Sequence, residues 1–181
     1  GEAVEYSKKL IAAYPKSHFD RASAAVSMGY ATLSGASAPK IAALVHYGLL
    51  ERKGNAYKNS DLAEQILHST TEEEKDAAIL VAAKHPKLFD SLINEYSGRA
   101  VPPTLNNILV RQFGIGRKVA DTVVQTFKDS LEFAGLYSNG IVSEVVSKDT
   151  ADATEETGKS EHPQSQQFGA KKPERQVKTG M

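Results

Sequence analysis

A mainly α-helical protein with two short hairpins is expected from this chain, on three observations. Apolar residues recur at helical spacing in successive segments up to about residue 135. Glycine or proline closes nearly every one of those segments. Two turn-forming pairs, Gly54-Asn55 and Asn139-Gly140, each lie between short runs suited to strands. From about Lys148 the periodicity stops, and the expected division is 1–69, 70–146 and a disordered tail over 147–181.

The first segment is defined best. Glu2 to Tyr14 reads as a helix with Val4, Leu10, Ile11 and Tyr14 for one face, ended by Pro15. A turn leads into the alanine-rich segment from Asp20 to Met28, closed by Gly29. Ser37 then reads as an N-cap with Pro39 in the first turn, where a missing N–H costs nothing. Ile41, Leu44, Val45 and Leu49 share a face, and Gly48 is the stop. Leu49–Lys53 and Ala56–Lys58 flank Gly54-Asn55 as a hairpin, and Ser60 or Asp61 caps a further helix. Helix, turn, helix, hairpin is the order of a winged helix-turn-helix.

The second segment repeats that order more loosely. Thr71 with Glu74 forms a capping box, and Glu72 and Glu73 favour the positive end of the helix dipole. The same three glutamates are a poor case for a metal site, since acids at a helix start are usually a solvated cap. After Pro86 come Leu88, Phe89, Leu92, Ile93 and Tyr96, and after Pro102-Pro103, Thr104 caps a short helix stopped by Gly114. Val119, Ala120, Val123, Val124, Phe127, Leu131 and Ala134 then form an amphipathic stripe ended by Gly135. Tyr47-Gly48-Leu49-Leu50 before the first hairpin parallels Ala134-Gly135-Leu136-Tyr137 before the second. A second winged-helix-like unit is expected, with a plain helical bundle as the looser alternative.

Charge and composition exclude several classes. Lysine plus arginine equal aspartate plus glutamate at 22 each, so no global charge marks a polyanionic partner. Residues 1–60 carry eight basic and four acidic side chains, whereas residues 61–100 carry four basic and eight acidic. With no cysteine, disulfides, thiolate-held zinc, iron–sulfur clusters and thiol catalysis are out. No apolar run approaches the roughly 18 residues needed to span a membrane and the N-terminus lacks a signal-peptide layout, so a cytoplasmic setting without membrane contact is expected. The five histidines are scattered, and Gly114-Ile-Gly116 lacks the lysine spacing of a phosphate loop. Neither an enzyme nor a cofactor or metal protein is expected.

The stretches Ser34-Gly35-Ala36-Ser37, Ala43 to Leu50 and Phe127 to Leu136 carry a resemblance. The first module resembles winged helix-turn-helix domains, and residues 12–137 look like a group of uncharacterised prokaryotic proteins that contain this domain. The resemblance implies a fold first. Winged helices in general imply binding of duplex DNA, with protein–protein assembly as a frequent second use.

A helix-turn-helix presents its second helix to the major groove, and its wing reaches the backbone or minor groove. The candidate contacts are Ser34, Ser37, Lys40 and Tyr47 on the helix, and Arg52, Lys53, Asn55 and Lys58 on the wing. Arg117 and Lys118 open the equivalent helix of the second unit, with Arg111 nearby in sequence. The wing has the cations that phosphate contacts need, but the first helix has alanines at 36, 38, 42 and 43 where base readers usually place Arg, Asn or Gln. The functional expectation is a double-stranded DNA-binding protein, a transcription regulator or mobile-element factor, with a homodimer suited to paired half-sites. The alternative is an assembly module whose helix face docks on another protein.

Overall fold

The computed structural model describes residues 1–144, and the tail expected over 147–181 lies outside them. Among the described residues there are eight helices and two two-stranded antiparallel hairpins.

α1 (Glu2–Ala13) has Glu2 and Glu5 in its first turn, where the helix dipole favours negative charge, and it buries Ser7, Leu10 and Ile11. Phe19 follows as a single extended residue. Its N–H donates to Tyr57 O at 2.9 Å, and its carbonyl accepts from Tyr57 N at 2.8 Å. The Asp20 carboxylate accepts from Ser23 N at 2.7 Å and so caps α2 (Arg21–Ser27), which Gly29 closes at φ +100°.

α3 (Ser37–His46) corrects the sequence reading at its start. Its N-cap is Ala36, not Ser37, and no side chain caps it; Ser34 and Ser37 instead bond to each other in the turn that leads in. Ala38 N donates to Ser34 O at 2.9 Å, and the Ser34 hydroxyl accepts from Ala36 N at 3.3 Å and Ser37 N at 3.5 Å. Ser37 Oγ in turn accepts from Ser34 N at 2.8 Å, which closes the turn ahead of the helix. At its other end Gly48 (φ +70°) turns the chain into β1 (Leu50–Lys53).

β1 pairs with β2 (Ala56–Asn59) in the register Leu50↔Asn59 to Lys53↔Ala56, leaving Gly54-Asn55 as a two-residue loop. Only Gly54 has positive φ, as a II′ turn requires. Ser60 caps α4 (Asp61–His68), accepting from Ala63 N at 3.1 Å. Thr71 caps α5 (Glu72–Lys84) as expected, accepting from Glu74 N at 3.1 Å, while the Glu74 carboxylate reaches one residue further back, to Thr70 N at 2.8 Å.

α6 (Lys87–Tyr96) begins after Pro86. α7 (Leu105–Gln112) starts without the expected Thr104 side-chain cap. Only the Thr104 carbonyl serves there, accepting from Asn107 N at 3.0 Å. α8 (Arg117–Phe133) buries Ala120, Phe127 and Leu131, but Val119, expected inward, is 52% exposed. β3 (Tyr137–Ser138) and β4 (Ile141–Val142) close on Asn139-Gly140, both at positive φ, the I′ signature of an Asn-Gly turn.

The same order therefore occurs twice: helix, short extended piece, helix, helix, hairpin. In each case the extended piece bonds to the second strand of its own hairpin. Phe19 bonds to Tyr57 on β2. In the later set Gly98 N donates to Val142 O at 2.9 Å, and Val142 N donates to Arg99 O at 3.0 Å. Each set has its own apolar centre. The first gathers Leu10, Phe19, Met28, Ile41, Leu44 and Leu50, and α5 adds Ala78, Ile79 and Ala82 to it. The second gathers Phe89, Leu92, Ile93, Leu105, Leu109, Phe127 and Val142. Tyr47 and Ala134 pack against both.

Candidate nucleic-acid interface

The two helix–helix–hairpin sets place the ten expected contact residues in unlike states. On α3, Ser37 is fully buried, and its hydroxyl is used by Ser34 N and Thr32 O, so it presents nothing to a partner. Ser34 is exposed, but its oxygen belongs to the turn that starts the helix. Lys40 is ion-paired with Glu2 of α1, an interaction that also holds the Glu2 carboxyl below its ordinary pKa. Tyr47 is half-buried, with its hydroxyl 2.8 Å from Ser130 Oγ on α8. What α3 and its N-cap Ala36 leave exposed is Ala36, Pro39 and His46, a face without permanent charge.

The first hairpin divides its cations. Glu51 and Lys58 are register partners and form an ion pair at 3.0 Å, which raises the Lys58 pKa and commits that ammonium internally. Arg52 Nε donates to Gly54 O at 2.9 Å, bracing the turn while the side chain stays exposed. Lys53 and Asn55 are exposed and unpaired among the described residues. Because alternate residues of a strand point to opposite faces, Arg52 lies on the Tyr57 face and Lys53 on the Lys58 face. A continuous basic stripe through Lys40, Arg52, Lys53 and Lys58 is not formed. The free charge is concentrated at the hairpin tip.

The second set is better equipped than its sequence alone indicates. Arg117 and Lys118 are exposed, occupy the first turn of α8, and have no acidic neighbour in that turn. Asp121, the next acid along the helix, accepts from Asn106 Nδ2 at 2.7 Å, which ties α7 to α8. On α7, Asn107, Arg111 and Gln112 are exposed and line a shallow depression with Thr104 and Ile108. Asn107 and Gln112 are not among the expected contacts, because polar residues on a short helix carry no periodic signal of their own.

Among the described residues no group of three or more His, Asp or Glu could hold a metal ion, and no helix is long and apolar enough to cross a membrane. Comparison with protein-family models, with curated proteins and with solved structures gives no match to this chain.

Proposed function

We propose that this chain is a tandem winged-helix protein that binds duplex DNA chiefly through its phosphate backbone. The contact set is Arg52, Lys53 and Asn55 at the first hairpin tip, with Arg111, Arg117 and Lys118 in the second unit. One observation carries this reading. Two exposed cations stand together at the positive end of α8 with no compensating acid in the turn. Each such cation opposes the helix dipole by about 0.3–1 kcal/mol. A site that costs stability yet leaves its charge unpaired fits an anionic partner, and a helix N-terminus adds backbone N–H donors for phosphate oxygens. Ser37, Lys40 and Lys58 drop out of the contact set because each is buried or already paired.

The test uses the full chain and a random-sequence duplex followed by fluorescence anisotropy, alongside thermal unfolding. Changing Arg117→Gln and Lys118→Gln together should weaken DNA binding while raising stability by about 0.6–2 kcal/mol, the dipole penalty removed at both positions. Unchanged affinity in that variant would sink the reading. The uncharged α3 face of Ala36, Pro39 and His46, together with the half-buried Ala43 and Tyr47, favours a second reading for the first unit, an assembly surface for another protein. That reading takes precedence if no duplex is bound at low salt.

A further inference from the structure

A groove of about 710 Å³ lies between the end of α3, the α5–α6 corner and α8, whose lining residue Val119 follows directly on Lys118. Its walls are apolar, with Val45, Leu88, Phe89 and Val123 among them, and Val119 of α8 lines it while remaining 52% exposed. The exposure of Val119 breaks the apolar stripe of an otherwise regular helix, and the groove is where that side chain points. The titratable side chains lining it are His46, His85 and Lys87, and no carboxylate is among them. Lys87 is exposed and has no ion pair among the described residues. Asp90, one turn along the same helix, is paired with Lys84 at 3.5 Å. His85 directs Nδ1 to the His46 carbonyl at 2.8 Å, which fixes the imidazole at the groove wall.

An apolar trough of this size with a few polar groups at one side matches the general form of a small-molecule site. The sign of the lining charge selects among ligands. We infer that the groove binds an amphipathic anion, an aliphatic or aromatic body lying along the Val45, Leu88 and Val123 walls with its carboxylate met by Lys87. None of the side chains in the proposed DNA contact set lines the groove, so the inference does not rest on that reading.

The experiment titrates the isotopically labelled full chain with decanoate, and with decanol as its uncharged counterpart, following amide shifts by NMR. One saturable site should perturb residues of the groove, with decanoate bound several-fold more tightly than decanol. Lys87→Gln, a change at an exposed position, should abolish that preference while leaving decanol binding unaltered. Val119→Glu, also exposed, should reduce decanoate binding at least tenfold by placing a carboxylate beside the walls. Absence of saturation, equal affinity for decanol and decanoate, or binding indifferent to Val119→Glu would each overturn the inference. Unchanged thermal midpoints in both variants confirm that they remain folded.

Discussion

Gly48 ends α3 in a conformation that L side chains rarely adopt, and it does so against another residue. A Cβ at this position would lie 2.5 Å from His85 Cδ2, with the backbone at φ +70°. Gly48→Ala should therefore destabilise the fold by at least about 1 kcal/mol from the left-handed backbone alone. The collision with the imidazole adds to that. In a His85→Ala background the cost should shrink towards the backbone part, and a double-mutant cycle by urea unfolding separates the two. Ser7 presents the opposite case. Its hydroxyl is buried on α1 without a hydrogen-bond partner among the described residues, so Ser7→Ala should stabilise the protein by up to about 1 kcal/mol. A loss of stability there would show that the hydroxyl is satisfied in solution.

Helix starts make a pH-dependent contribution. The Asp20 carboxyl is held below its ordinary pKa by the Ser23 backbone N–H, and the Glu74 carboxyl by the Thr70 backbone N–H. A carboxylate whose folded pKa is depressed stabilises the protein fully above its unfolded pKa and loses that contribution as pH falls through the folded value. The thermal midpoint should therefore fall on acidification below the ordinary carboxylate range, and Glu74→Gln should flatten that fall. A midpoint whose acid limb is identical in Glu74→Gln would contradict the role given to Glu74.

How much of each element was legible depends on whether its cause is local. Gly29, Gly48 and Gly135 act within one turn of their helices, and Asn139-Gly140 selects its own hairpin, so those boundaries follow from neighbouring residues. The Glu51–Lys58 pair follows from counting back from the Gly54-Asn55 tip, since register fixes which residues are opposite. Nothing local marks Ala36 as the N-cap in place of Ser37, since alanine carries no capping group and the burial of Ser37 comes from packing. The pairing of Lys40 with Glu2 spans two helices, and a one-residue strand such as Phe19 has no periodicity to detect. Burial removed Ser37 and the pair with Glu2 removed Lys40 from the candidate contacts, whereas Lys58 is removed by the hairpin's own register.

For the molecule as a whole, the repeated order of helix, extended piece, two helices and hairpin gives each half its own core. Phe127 sits at the centre of the second, fully buried and 5.3 Å from Phe89 in a tilted ring pair. Phe127→Ala should cost about 3–5 kcal/mol, measured by chemical denaturation. Across the two cores Tyr47 packs against both and meets Ser130, so Tyr47→Phe should cost roughly 1 kcal/mol through the lost hydroxyl contact. With net charge balanced over the chain, the proposed duplex binding requires local cations and not a general basic field. The deciding measurement is the salt dependence of binding between the full chain and a random-sequence duplex. Phosphate contacts by Arg52, Lys53, Arg111, Arg117 and Lys118 correspond to a log–log slope of about −4.5, and the Arg117→Gln/Lys118→Gln variant should be shallower by about 1.8. A slope near zero, or one that the double variant leaves unchanged, would contradict duplex binding through these side chains.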